Sequence, residues 1–293
     1  MSGQDIYNWL ARKKWMTISS IAPVSGTKAL YKKTFGKKLD LDDPKDFNQK
    51  IQYLKLNDYY RNPTITQCVD KVRVKDYVAG KGLGDIVPKL YAVYKDADSI
   101  DWDALPDSFA IKCNHGCGYN MLVEDKSRID KKQVTKAFNR WVRENQWKWY
   151  IETQYKYVEK RIFVEELLPG NVRTVKFYCF NGEPKILYVS SCGEKGIEEQ
   201  DKYLDFYDMD WNRLPDIKFE GHVPHLHELE KPDNFDDMVS ISKVLSKDFP
   251  FVRVDLNWIE DKIYFGELTF VPTGGFLNIP QNRLDQMGEW LRL

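Results

Sequence analysis

The stretch FVRVDLNWIEDKIYFGELTFV, residues 251–271, leaves a chain few choices. Two runs rich in β-branched and aromatic residues meet at Glu260 and Asp261, the pattern of an antiparallel hairpin. Side chains alternate across a strand, so Asp255 on the first run and Glu267 on the second, 12 positions apart, can point to one face. Both sit among apolar neighbours (Val254, Leu256, Phe265, Leu268), where an unpartnered carboxylate is costly. Two readings stay open: a pair of hard oxygen ligands for a divalent cation, or two strand acids in surface salt bridges.

FAIKCNHGCGYNMLVED, Phe109 to Asp125, poses a similar choice. Lys112 ends an apolar run, a small-residue loop follows from His115 to Asn120, and a second apolar run closes the stretch. Gly116 and Gly118 remove the side-chain barrier, loop N–H groups donate, and the ammonium neutralises charge, which suits a phosphate. A plain hairpin fits the same residues, and neither GxxxxGK[ST] nor GxGxxG occurs. In RIFVEELLPG, residues 161–170, Glu165 and Glu166 lie in an apolar strand broken by Pro169 and Gly170. That segment is either a hinge whose backbone reads a flat base or an edge strand with two solvated glutamates.

The pattern along the chain predicts an α+β protein. Residues 1–62 read as helical and basic, with Phe47, Ile51, Leu54 and Leu56 striping a helix that starts after Pro44. TITQCVDKVRVKDYVAGKGLG predicts one helix stopping at Gly80 and Gly82, and DIVPKLYAVY a strand. Residues 130–158 predict a long helix with an aromatic face, Trp141, Trp147 and Trp149 packing it more readily than stacking on sugars. From Arg161 onward, short β-rich runs separated by LPGN, FNGE and CGEKG predict an antiparallel sheet, with a helix near FDDMVSISKVLSKDF. A small mixed lobe before about residue 127 and a sheet-dominated lobe after about 150 follow.

With 44 basic against 44 acidic residues and a pI near 6.9, no whole-molecule field draws the chain onto nucleic acid, so any anion site is local. Five cysteines without a CxxC pair read as reduced thiols and a cytoplasmic setting. No apolar run reaches the roughly 18 residues of a membrane span. RKKWMTISSIAPVSG imitates a secretion signal only faintly, and its basic, Trp-bearing end leaves peripheral membrane contact open. HVPHLHE brings His222, His225 and His227 together but lacks the cysteines or second cluster usual for structural zinc, so a polar connection is favoured. DFYDMD, with Asp208 and Asp210 before Trp211, reads as a turn more readily than as a glycosyltransferase metal site.

In order, FNQKIQYLKL, DKVRVKDYV, ALPDSFAIKCNHGCGYNML, KFYCFNGEPK, YDMDWNRL, KPDNFDDMVSISKVLSKDFPFVRVDL and KIYFGELTFVPTGG resemble the ATP-grasp superfamily, and within it the TupA-like (teichuronopeptide-biosynthesis) branch of polysaccharide-biosynthesis proteins. The resemblance runs from about Pro44 to the last residue. It implies an ATP-grasp fold whose two α+β lobes clasp ATP: a helical N-terminal segment, 1–62, a small lobe with the phosphate loop, 63–127, and a large lobe with the adenine hinge and metal carboxylates, 128–293.

The resemblance further implies that Lys71 and Lys112 contact nucleotide phosphates and that His115, Gly116, Gly118 and Asn120 belong to the phosphate lid. By the same likeness Glu165, Glu166 and Leu168 form the adenine hinge, and Asp255, Glu267 and Thr269 face Mg²⁺. Thr269 stands where many relatives carry a metal-binding asparagine, and NVRTVKFY departs from the branch pattern, which clouds Arg173 while Lys176 keeps its place. The implied activity is an ATP- and Mg²⁺-dependent carboxylate–amine ligase forming an amide through an acylphosphate, on a uronic or amino acid of a surface polysaccharide or its precursor. Lys176 and Arg253 are the expected clamps on the acylphosphate. A glycosyltransferase and a non-catalytic nucleotide-binding module are the rivals, the latter favoured slightly by Thr269.

Overall fold

A computed structural model describes residues 16–18, 20–170, 172–191, 203–219, 221–225 and 227–293. Most of the basic N-terminal stretch, Cys192 and the CGEKG turn lie outside the described residues. In chain order, helices α1 (Pro23–Phe35), α2 (Phe47–Leu56), α3 (Pro63–Val69) and α4 (Val74–Gly80) come first. Strands β1 (Leu90–Tyr94), β2 (Phe109–Cys113) and β3 (Asn120–Val123) precede α5 (Lys131–Trp141). Then follow β4 (Ile162–Glu165), β5 (Arg173–Phe180), β6 (Glu183–Ser191), β7 (Tyr203–Asp208), α6 (Phe235–Ser246), β8 (Phe251–Ile259), β9 (Lys262–Thr269) and α7 (Gln281–Trp290).

The strands form two antiparallel sheets, one ordered β1-β4-β2-β3 and the other β7-β6-β5-β8-β9. Alternation along β2 sends Phe109, Ile111 and Cys113 into a core with Val134 and Phe138 of α5, leaving Ala110 and Lys112 for the opposite face. In the second sheet Phe177 packs against Phe235 of α6, while Thr174 and Lys176 face away from that helix. Helix α2 begins at the Asp46 N-cap, whose side chain accepts from Gln49 N at 2.9 Å, and its apolar stripe buries Phe47, Ile51 and Leu54. Phe47 meets the rings of Tyr178, Phe180 and Phe251, so α2 covers that end of the sheet. Among the described residues no helix is long and apolar enough to cross a membrane.

Three elements differ from the sequence expectation. The helix predicted through residues 63–82 breaks at Asp70, whose carboxylate accepts from Val72 N (2.9 Å) and Arg73 N (3.3 Å) and turns the chain between α3 and α4. The long helix predicted over 130–158 ends at Trp141. There the Lys160 ammonium takes the carbonyls of Arg143 (3.2 Å) and Glu144 (2.6 Å), and Ile151 adopts a left-handed φ of 57°. Strand β4, which the texture groups with the later strands, sits between β1 and β2 and is buried on both faces. Asn114 holds it there: its Oδ1 accepts from Arg161 N (2.7 Å), and its backbone N donates to Arg161 O (3.0 Å).

Helices α2 and α7 cross closely because Gly288 lacks a side chain; a Cβ there would lie 2.3 Å from Lys45 O and 2.9 Å from Asp46 Cα. Gly288→Ala is therefore expected to cost about 2 kcal/mol through overpacking, read as a lower urea midpoint. An unchanged midpoint would contradict the crossing.

Candidate active site

The polar faces of the two sheets turn toward a cleft of about 350 Å³. It gathers Lys71, Lys112, Gly116, Gly118, Asn120, Glu165, Glu166 and Leu168 from one side and Lys176, Asp255 and Glu267 from the other. Of the sequence-derived candidates, His115, Arg253 and Thr269 do not line it.

On the first side, the break at Asp70 frees Lys71, whose backbone N donates to Asn114 O (3.0 Å) and whose Nζ donates to Gly116 O (2.6 Å). The β2–β3 loop turns through Gly116 (φ 70°) and Gly118 (φ 77°). A Cβ at 116 would meet Gln146 Oε1 at 2.2 Å, and that amide clasps the loop by accepting from Cys117 N and donating to Cys117 O (3.0 Å). At 118 a Cβ would meet nothing, so only the backbone angle asks for glycine. His115 is buried against Tyr119, ring centroids 5.7 Å apart. Burial, then the ammonium groups of Lys160 and Lys71, push its pKa down to about 4, so the ring is neutral and adds no charge to the loop.

Glu165 closes the floor. Its carboxylate lies 2.7 Å from Lys112 Nζ and 2.7 Å from Lys75 Nζ. Burial raises this carboxyl, but the two ammonium groups outweigh it and hold the group below its ordinary range. The edge-strand alternative for Glu165 fails because β4 is central and its side chain is buried. Glu166 N donates to Lys89 O (2.8 Å), while Leu167 and Leu168, before Pro169, lie in the cleft wall.

On the second side, Asp255 and Glu267 are register partners on β8 and β9. The ladder slips between Asp255 and Leu256, and Gly266 permits it, since a Cβ there would lie 2.8 Å from Asp255 O. Beneath them Arg253 donates to Asp255 Oδ1 (2.6 Å) and Oδ2 (2.7 Å), to Glu267 Oε1 (3.1 Å) and to Thr269 Oγ1 (3.0 Å). Lys176 Nζ stands 3.7 Å from Asp255 Oδ2. Enclosure raises the Glu267 carboxyl, yet Lys71, Arg253 and Lys176 together bring it down to about 2. For Asp255 burial wins over Arg253 and Lys176, and its carboxyl lies above the ordinary value.

These donors fit Mg²⁺. Two paired carboxylates offer hard oxygens, and among the described residues no group of three or more His, Cys, Asp or Glu could hold a metal. A cation here would keep its other positions for water and phosphate oxygens, as Mg²⁺ does. Thr269 braces the carboxylates: its hydroxyl accepts from Arg253 and donates to Glu267 Oε1 (3.0 Å).

Sequence reasoning missed Lys75, Asn114 and Gln146. Lys75 follows Lys71 by four residues in DKVRVKDYV, a weak signal that both cations serve one site; nothing local marks the other two. Asp208 is committed to its own turn, accepting from Asp210 N (3.0 Å) and Asn212 N (2.8 Å), so it offers no free metal carboxylate. Trp141 stacks on Tyr119 at 5.8 Å and Trp147 is buried, as packing residues.

The fold, with two α+β lobes closing on a cleft lined by lysines and paired carboxylates, is the ATP-grasp fold. The chain belongs to the TupA-like ATP-grasp family, matched over residues 49–291. It is also similar in fold to an L-amino acid ligase from Bacillus licheniformis (10% identity, TM-score 0.48, 78% of this chain and 49% of that one). A D-alanine–D-alanine ligase from Bacillus anthracis compares at 14% identity, TM-score 0.43, 84% of this chain and 65% of that one. The ATP-grasp ligase PsnB, complexed with a phosphomimetic precursor variant, Mg and ADP, compares at 14% identity, TM-score 0.44, 83% and 65%. The chain thus spans about half the length of the first and under two thirds of the others. No curated protein matches its sequence.

Because Glu165 is held below the ordinary glutamate value of 4.5, its pairing stabilises the fold above that pH and is lost as pH falls below it. The wild type should therefore melt above Glu165→Gln at pH 7, with the gap shrinking in melts at pH 4 and below. A gap independent of pH would contradict the pairing.

Proposed function

We propose that this chain is an ATP- and Mg²⁺-dependent carboxylate–amine ligase that forms an amide through an acylphosphate. The single observation that supports it most is the convergence of Lys71 and Lys112 with Asp255 and Glu267 on one cleft. Its four lining lysines face four lining carboxylates, so the empty charge balance is even and a triphosphate needs a divalent cation to sit against Asp255 and Glu267. Asp255 and Glu267 would hold Mg²⁺, which when bound would supply positive charge against the charge that spreads in phosphoryl transfer.

The chain's own groups have these parts. Lys71 and Lys112 hold phosphates under the Gly116–Gly118 turn, and the apolar surface of Ala110, Leu122, Phe163 and Leu168 encloses the base beside the hinge. Lys176, beside Asp255, orients the acid's carboxylate and the acylphosphate formed from it; Arg253 positions the metal carboxylates from behind. Attack by an amine then expels phosphate, with no covalent protein intermediate. The small lobe in this reading runs through β4, and the segment from Glu166 to Gly170 begins the hinge between lobes. A uronic or amino acid of a surface polysaccharide or its precursor is the acid we favour, in keeping with the TupA-like family, and the four free cysteines among the described residues suit the cytoplasm. The glycosyltransferase rival loses support because Asp208 is engaged in its turn.

ADP should appear only when ATP, an acid and an amine are all supplied, and hydroxylamine in place of the amine should trap the acylphosphate as a hydroxamate. Asp255→Asn and Glu267→Gln should each lower that turnover at least about 100-fold. ADP with a phosphosugar from ATP and sugar alone would make the protein a kinase, and transfer from a nucleotide sugar without ATP a glycosyltransferase; either sinks the ligase.

A further inference from the structure

The second sheet carries another constellation on the face turned away from the cleft. Ser191 and Asp205 lie opposite Arg173 and Val189, one residue out of phase with cleft-facing Thr174 and Lys176. Ser191 Oγ is 2.8 Å from His225 Nε2, and His225 Nδ1 is 2.6 Å from Asp205 Oδ2, which also accepts from His225 N at 2.9 Å. Arg213 fixes the other oxygen, donating to Asp205 Oδ1 from Nε (2.9 Å) and Nη2 (2.6 Å).

The chemistry of this chain has a direction. An ionised carboxylate only accepts, so Nδ1 of His225 carries the proton and Nε2 presents its lone pair to the serine hydroxyl. A serine, a general base and a group orienting the base stand in the order nucleophilic catalysis requires. Holding the 213–225 segment on the sheet would not need the serine, because Leu204 N already donates to Val223 O (2.9 Å) and Leu214 N to Phe206 O (2.8 Å). Ser191 ends its strand and is partly exposed. Its register partner Arg173 brings an exposed guanidinium to the same face, lying over Trp258 at 5.2 Å, where it suits the charge that grows on a carbonyl oxygen.

We propose that Ser191, His225 and Asp205 form a second, hydrolytic centre for carboxylic esters, independent of the nucleotide cleft. Ser191 Oγ bonds to the carbonyl carbon while its proton passes to His225 Nε2. Collapse breaks the carbon–oxygen bond to the alcohol, which leaves with that proton. Water then attacks the acyl-serine, gives a proton to Nε2, and the acid departs as Ser191 recovers it.

The full-length protein, free of nucleotide, is treated with a fluorophosphonate probe and assayed on p-nitrophenyl acetate. The expected result is one equivalent of label on the peptide holding Ser191, with Ser191→Ala abolishing the label and lowering hydrolysis at least about 100-fold. Because His225 variants also disturb Arg213 and Asp205, Ser191→Ala, which removes one oxygen, carries the test, and an unchanged melting temperature shows it folds. Absence of label, or label and hydrolysis equal in Ser191→Ala, overturns the proposal and leaves the network as a fastening of the 213–225 segment.

Discussion

The guanidinium of Arg253 is the interaction on which the rest depends. Two carboxylates paired across adjacent strands repel, and each loses hydration when the sheet closes over it. Arg253 answers both costs at once, with two bonds to Asp255 and one to Glu267. Two residues before Asp255 on the same strand, it takes both Asp255 oxygens and Glu267 Oε1. Thr269, two residues beyond Glu267, accepts from the same guanidinium and donates to Glu267 Oε1, a double part that a hydroxyl can play.

The facing wall repeats the logic with the signs exchanged. A single buried carboxylate, Glu165, is shared by Lys112 and Lys75, so the cations are pinned instead of the anions. Each wall thus pairs its buried charge with opposite charge of its own, and the Glu165 wall keeps a surplus of positive charge. In the proposed function a phosphate chain would take the lysines as partners, and Asp255 and Glu267 would hold the divalent cation that accompanies it. Lys112, Glu165, Lys176, Asp255 and Glu267 are held on strands. The exception is the Gly116–Gly118 turn, held by Lys71 and the Gln146 amide and rich in positive φ.

How much of this was legible follows from where each signal lay. The β8–β9 hairpin was written in a period of two, and the same alternation foretold that Asp255 and Glu267 share a face. Lys112 and the glycine loop were visible as a type of site, and their assignment to phosphate came from family resemblance. The helix break at Asp70 was missed because an aspartate bonding its own backbone competes with helix only locally, while the apolar spacing runs straight through it. Strand β4 was grouped with the wrong neighbours because pairing is a long-range choice, made here by Asn114 and a double-sided apolar surface. Lys75 and Gln146 act through residues distant in the chain, Glu165 and Cys117, and no window of sequence contains both partners.

The central claim is that the two walls grip one metal-bound triphosphate. Calorimetric titration of ATP with Mg²⁺ into the wild type, Lys112→Ala and the double variant Asp255→Asn/Glu267→Gln tests it most directly. The account predicts binding that needs Mg²⁺ and weakens at least about tenfold, or about 1.4 kcal/mol, in both variants. Equal affinity in all three proteins, or affinity indifferent to Mg²⁺, would contradict it.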